Sequence, residues 1–393
     1  MPPIPLRWVA IGIFVLSSTL NYLDRQLLGA LAPTLKAEFH LSNQEFGEIV
    51  SVSFLIYALV APFAGWFVDR LGLNLGTSIA VLVWSAAGSA TALFRSVGGL
   101  VACRVVLHAA EAAGIPATGK ANATYLESRE LALGTAFNQV GLSLGLMLAP
   151  LIAAAVEPRY GWRAAFSLCG ALGFVWVPLW WFTSRRVPVR RTDSTPVAPA
   201  GEPWSDRRLW LLALANALVM TTYALWTTWT TLYFVQARHM SQEQANREFA
   251  WIPPVFAVLG GFCGGGMAYW MIRRGVNVLA ARMRVCWISA TAVLATAAVP
   301  YMPTPGLAAA VISLSFFWTL AISTNLYALP IDLFGQRRAA FCVATLTSAF
   351  GLMQTVISPL IGRLVDDAGF GPVITGVAAL PLVGVAVLRG AAR

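Results

Sequence analysis

What most constrains this chain is how long it runs without charge. Nine stretches hold no Asp, Glu, Lys or Arg, among them Ile49 to Val68, Leu133 to Val156, Leu209 to Ala237 and the 47-residue run Val285 to Ile331. Each is long enough to cross a bilayer as a helix, which takes about 20 apolar residues. Composition agrees: 58% of the 393 residues are apolar and 11% are charged, against roughly 25% charged in a soluble domain. A single soluble core, a disulfide-stapled secreted domain and a disordered chain are excluded. Cys103, Cys169, Cys263, Cys286 and Cys342 show neither CxxC nor Cys/His spacing, so no disulfide, no metal and no cofactor is expected. The net charge of +10 comes from basic residues between spans, without the aromatic interleaving of a nucleic-acid face. The N-terminus has one arginine before its apolar run and no small-residue cleavage site, so it reads as an uncleaved first span, not a signal peptide.

Cutting at charges, Pro/Gly turns and span length predicts twelve helices, at about 8–30, 48–68, 75–94, 98–120, 133–156, 163–183, 208–236, 250–272, 284–300, 306–330, 339–362 and 370–388. The longest run divides at Pro300 to Gly306, where three prolines and a glycine make a turn. With both termini cytoplasmic, 18 Lys and Arg fall inside and 7 outside, which selects that orientation. The one long loop, rich in Arg, Pro and Ser, predicts a cytoplasmic linker at 184–207 between bundles of six helices at 1–183 and 208–393. The expected fold is therefore an all-α membrane protein of two six-helix bundles. Repeated halves of this kind place a small-molecule site near the midplane.

Ten of the twelve predicted spans carry no charge in their interior. The first holds Asp24 and Arg25, and the fourth holds Arg104, His108 and Glu111. A charge in hydrocarbon costs several kcal/mol unless paired or hydrated, which marks these five as a functional cluster. The spacing i, i+4, i+7 puts Arg104, His108 and Glu111 on one helix face. At 1.5 Å per residue, Asp24 and Arg104 each lie roughly 9 Å below the outer end of their span, and Glu111 about 10 Å deeper. Asp24 and Arg104 are thus expected to face each other. The cluster suits an anion held by Arg and protons exchanged at acids. In the second half, Trp226 within a Thr- and aromatic-rich run, Trp318, Asn325 and Gln354 are candidate wall residues, Asn325 first among them because an amide in hydrocarbon needs a partner. No nucleophile with a base, phosphate-binding glycine loop or metal set is present, so no enzyme activity is expected.

Gly65-Trp-Phe-Val-Asp69-Arg70-Leu-Gly72 resembles the major facilitator signature G-x-x-x-D-R-x-G, with Leu73 and Asn74 where basic residues usually follow. The equivalent turn of the second half has Tyr269 where that family commonly has Asp. Further likeness lies in Asn21-Tyr-Leu-Asp-Arg25, Arg104 with Glu111, Ile115 to Lys120, Gly141 with Gly145, Gly161-Trp-Arg-Ala-Ala-Phe166 and Asn325 to Phe334. Together these resemble the anion:cation symporter branch, and within it bacterial hexuronate and aldonate transporters.

The resemblance implies the major facilitator fold. It implies that Arg25 binds the substrate carboxylate, that Asp24 and Glu111 carry protons, and that Arg104 supports them. Tyr22 and Tyr57 are candidate substrate contacts, His108 joins the proton-coupling group, and Gly65, Asp69, Arg70 and Lys120 belong to the cytoplasmic motif. His108 stands where that branch usually has glycine. The expected function is proton-coupled import of an organic anion, a hexuronate or aldonate, by a monomer in a bacterial inner membrane. Its partners are the anion, protons and lipid, and nucleic acid is not among them. Import of an aromatic or dicarboxylic acid is the alternative, as is a non-transporting receptor, for which tails of about seven residues leave no room for a signalling domain. Efflux of a lipophilic cation is disfavoured by the buried arginines.

Overall fold

The computed structural model describes residues 6–127, 130–187 and 204–391. Among them the chain is helical, and eleven stretches are long and apolar enough to span a membrane. In chain order these are α1 Leu6–Ala30, α2 Asn43–Leu71, α3 Leu73–Ala90, α4 as two segments Val97–Glu111 and Gly114–Tyr125, then Leu131–Ser184, which holds both α5 and α6. There follow α7 Arg207–Arg238, α8 Ile252–Arg273, α9 Val278–Val293, α10 Pro305–Leu326, α11 Gln336–Ala368 and α12 Phe370–Ala391. Leu131–Ser184 is too long for one crossing and turns at Gly161 (φ 77°, ψ 165°), a backbone conformation that glycine adopts without penalty. Its two arms bring the number of membrane-length helices among the described residues to twelve, as expected.

Helix ends carry their own chemistry. The side chains of Ser96, Asn277 and Thr304 accept backbone hydrogens at the starts of α4, α9 and α10, satisfying donors that have no partner within the helix. Several helices outrun their apolar stretch: α2 starts at Asn43 and α11 runs on to Ala368, where the sequence predicted 48 and 362. Charge marks where hydrocarbon ends, not where backbone hydrogen bonding ends. The structure also breaks the predicted fourth span. Pro116 has no N–H for the carbonyl four residues earlier, and the chain kinks over Ala112 and Ala113. Glu111 is the last residue before that kink.

The helices gather into two compact units. The first takes the described residues within Met1–His40, Val52–Ser194 and Gln242–Arg247, and the second those within Leu41–Ser51, Thr195–Ser241 and Glu248–Arg393. Most of the expected linker, residues 188–203, lies outside the described residues. In the first unit α5 packs on α1 and α6 on α3 through glycines: a Cβ at Gly145 would stand 2.8 Å from the Leu23 nitrogen of α1, and one at Gly170 2.6 Å from the Ser85 carbonyl of α3. In the second, Gly260 and Gly264 of α8 bring it against Phe317 and Ala321 of α10. Close backbone approach over small residues is the usual cement between helices in lipid, where burial of apolar surface gives no preference for one helix over another.

Candidate functional site

The site is built where α1 meets the kink of α4. Asn21 of α1 donates through Nδ2 to the backbone carbonyl of Glu111 at 3.3 Å, serving an acceptor at the point where the helix is interrupted. One turn further along α1, Arg25 turns to the same residue's carboxylate. Its Nε and Nη2 lie 3.4 and 3.2 Å from Glu111 Oε2. His108 Nδ1 lies 2.9 Å from that same oxygen, one helical turn before it on α4. Glu111 Oε2 therefore faces three nitrogens, while Oε1 is buried without a hydrogen-bond partner.

The Arg25 guanidinium is framed by two rings, Tyr57 of α2 at 4.6 Å and Tyr22 of α1 at 5.2 Å from centroid to carbon. Such contacts hold a cation by the negative faces of the rings and keep its plane presented to a carboxylate. The Arg25 side chain is 25% exposed while that of Glu111 is 0% exposed, so the arginine keeps an open side that the acid lacks. Of the sequence-predicted residues, Arg25, Tyr22, Tyr57, His108 and Glu111 are thus brought together.

Asp24 and Arg104 are both buried, but the expected meeting of the two is corrected by the structure. Among the described residues no ion pair joins them. Arg104 Nη2 donates to Thr91 Oγ1 at 3.1 Å, and its guanidinium lies 4.9 Å from the Phe166 ring. Its Nε and Nη1, like Asp24 Oδ2, have no hydrogen-bond partner. Equal depth along two helices does not fix the direction in which each side chain leaves its helix, and Thr91 at the end of α3 offers Arg104 the nearer acceptor.

In the second unit the wall residues expected from sequence pack within the bundle. Asn325 is fully buried, with Nδ2 donating to the Gly264 and Ala321 carbonyls at 3.0 Å each; it ties α10 to α8. Trp226 is 1% exposed and meets Tyr233 edge-on. Gln354 is buried and donates to Thr221 Oγ1 at 3.3 Å. Trp318 is half-buried, edge-on to Phe317. Each makes hydrogen bonds or ring contacts within its own bundle, while Trp226 Nε1 and Asn325 Oδ1 are buried without a hydrogen-bond partner.

The Gly65 to Gly72 motif makes local contacts. Lys120 Nζ of α4 lies 2.9 Å from Asp69 Oδ1 and 3.0 Å from the Val68 carbonyl, Arg70 stacks on Trp66 at 5.5 Å, and a Cβ at Gly65 would reach Pro116 at 3.9 Å. In the second half, where Tyr269 replaces the acid, a different pair forms, Arg282 Nε to Asp332 Oδ2 at 2.5 Å. Among the described residues, no three His, Cys, Asp or Glu side chains are placed to hold a metal. Sequence reasoning missed Asn21 and Thr91. Asn21 is an amide one turn before Arg25 in an apolar span, a signal of the same kind that singled out Asn325.

Residues 14–344 match the family model of the Major Facilitator Superfamily. The chain belongs to that superfamily. Its members are transporters, so this is a multi-pass membrane transport protein and not an enzyme. Among relatives in this superfamily, the hexuronate transporter of Escherichia coli (strain K12) is 28% identical, over 98% of this chain and 93% of its own. The galacturonate transporter of Dickeya chrysanthemi is 30% identical, over 67% of this chain and 81% of its own. A bacterial homolog of the human lysosomal transporter Spinster, solved in an inward-facing and unoccupied conformation, superposes with a TM-score of 0.77. That match has 20% identity and covers 99% of this chain and 95% of the other. The major facilitator fold expected from the Gly65 to Gly72 signature is therefore established.

Proposed function

We propose that this transporter imports a hexuronate, such as D-glucuronate or D-galacturonate, across a bacterial inner membrane together with protons. One observation carries the reading: an arginine within a membrane span, held between two tyrosines, already has a carboxylate on it. Glu111 Oε2 accepts from Arg25 through Nε and Nη2, the same fork that recognises a free carboxylate. When Glu111 takes up a proton its claim on Arg25 falls, and a substrate carboxylate takes its place. Release of that proton on the cytoplasmic side restores the internal pair and expels the anion. Proton and anion thereby move together, because each is needed to neutralise what the other leaves.

The hydroxyls of Tyr22 and Tyr57, whose rings frame Arg25, are assigned to the sugar hydroxyls. The names and coverage of the E. coli and D. chrysanthemi relatives support a hexuronate. Asp24 is assigned as a second proton-holding acid, with Arg104 close enough to influence it electrostatically. Two bundles divided at residues 184–207, both termini in the cytoplasm and a monomeric transporter complete the proposal.

The test is uptake of labelled D-glucuronate into proteoliposomes with an acidic exterior. Accumulation above the external concentration that collapses with a protonophore is expected for the wild type, and loss of both uptake and binding for Arg25→Lys, since an ammonium supplies no planar fork. Accumulation that ignores the protonophore would refute proton coupling, and wild-type binding by Arg25→Lys would remove Arg25 from the site.

A further inference from the structure

The geometry points to His108 as the relay that delivers the proton to Glu111 and takes it away, an inference that rests on the reading of Glu111 as a proton carrier. The difficulty it resolves is access. The Glu111 side chain is 0% exposed, so water does not reach the carboxyl, and Oε1 has no hydrogen-bond partner. Only the atoms on Oε2 remain. Two belong to Arg25, whose guanidinium does not give up a proton in a protein. The third is His108 Nδ1 at 2.9 Å.

An imidazole at that position has two nitrogens with different outlooks. Nδ1 is spent on the carboxylate, which leaves Nε2 as the other end of the ring, and the His108 side chain keeps 5% exposure where Glu111 keeps none. With Glu111 ionised, the neutral ring carries its hydrogen on Nδ1 and donates it to Oε2. A hydronium ion gives a proton to Nε2 and becomes water, and the ring becomes imidazolium. The Nδ1 proton then crosses to Oε2. The products are a neutral carboxyl, whose O–H donates back to the bare Nδ1, and a neutral ring with its hydrogen on Nε2. One proton has moved from water to Glu111, and the reverse sequence returns it.

The charged and titratable groups about the ring are Asp24 and Arg25 on α1 and Arg104 and Glu111 on α4, with Tyr22 and Tyr57 beyond Arg25. The α3 helix packs beside α4 and contributes no titratable side chain over Leu73–Ala90. Among the described residues, no titratable side chain other than Arg25 and His108 touches the Glu111 carboxyl. The i, i+3 spacing on one helix fixes this arrangement, so the relay is a property of this sequence, which has a histidine where glycine is usual.

His108→Gln separates relaying from mere positioning, because the amide still donates to Oε2 but cannot pass a proton through. The experiment measures labelled D-glucuronate in proteoliposomes in two modes, pH-gradient-driven uptake and counterflow at symmetric pH with substrate on both sides. A relay predicts counterflow within about twofold of wild type and gradient-driven uptake slowed at least about tenfold, at the low end of what a positioned acid–base group contributes. His108→Gly is the second variant: its void admits free imidazole, which is expected to raise gradient-driven uptake severalfold while leaving counterflow unchanged. Equal loss of both modes in His108→Gln without imidazole rescue of His108→Gly, or no loss in either mode, overturns the relay. Glu111→Gln measured alongside distinguishes the underlying reading. If that variant still accumulates D-glucuronate on a gradient, Glu111 is not the carrier and the relay falls with it. If it is uncoupled while His108→Gln keeps its gradient-driven rate, the relay alone fails. Absence of wild-type counterflow refutes the hexuronate reading and the relay together.

Discussion

Replacing Glu111 by glutamine keeps the shape of the side chain and removes its charge, and the structure says what each oxygen position then does. The amide oxygen, placed where Oε2 lies, still faces Arg25 Nε and Nη2 at 3.4 and 3.2 Å and His108 Nδ1 at 2.9 Å. The amide nitrogen falls where Oε1 lies, a buried position with no partner, and an unsatisfied buried donor costs about 1–3 kcal/mol. The variant is therefore expected to melt below the wild type. Binding moves the other way. A hydrogen bond to a charged group is worth about 1.5–3 kcal/mol, but Arg25 is a quarter exposed and both its contacts are long, so we take about 1.4 kcal/mol as the competition that Glu111 exerts for the arginine. Relieving it tightens D-glucuronate binding about tenfold relative to wild type with its Glu111 carboxylate on Arg25. Once Glu111 has taken up the proton of the proposed cycle the competition is gone, and the two proteins converge. Calorimetric titration of both at acidic and alkaline pH reads the effect directly: wild-type affinity falls as pH rises, and that of Glu111→Gln stays nearly level. Weaker alkaline binding by the variant than by the wild type, or an undiminished pH slope, would refute the exchange of carboxylates on Arg25.

Asn325→Ala removes the amide that ties α10 to the Gly264 carbonyl of α8, so thermal unfolding in detergent is expected to show a loss of about 1–3 kcal/mol, while D-glucuronate affinity of the folded fraction is unchanged. Gly145→Ala drives a methyl group into the backbone of α1 near Thr19 and Leu23; overpacking of about 1–3 kcal/mol should lower the melting temperature, and Ser, no smaller, should not rescue it. Asp206 caps α7 by accepting from the Arg208 backbone, and hydrogen bonds from the Arg208 side chain hold its carboxyl below the usual range. Its stabilisation is present above the ordinary carboxylate value of about 3.9 and is lost as pH falls through the lower folded value. Asp206→Ala should therefore cost about 1 kcal/mol at neutral pH, a difference from wild type that narrows in strong acid when melting curves are compared.

The number of spans, the break between about 156 and 163 and the outlier polar residues of the first and fourth spans were all legible in the chain, because lipid punishes charge and unpaired backbone regardless of what lies beside a helix. A run without charge has to be a helix there, and Asp24, Arg25, Arg104, His108 and Glu111 stood out against it. Gly141 and Gly145 stood out in the chain only as part of a family likeness, and the fold shows them packed on the α1 backbone.

Partnership was not legible. Sequence spacing placed Asp24 and Arg104 at one depth, yet the fold gives Arg104 to Thr91 and Phe166 and gives Arg25 to Glu111. The kink before Pro116 contributes to this difference, because it ends the first segment of α4 at Glu111 and leaves that residue's carbonyl to Asn21. Asn325, Gln354 and Trp226 illustrate the same limit from the other side. An amide or indole in a span announces that it needs a partner, and whether that partner is a substrate or the neighbouring helix depends on which backbone passes within about 3 Å. Depth and polarity follow from the one-dimensional pattern, since the membrane imposes them on every helix separately. Which polar groups meet is decided only by the rotation and crossing of helices distant in sequence, set by packing at Gly145, Gly170 and Gly264.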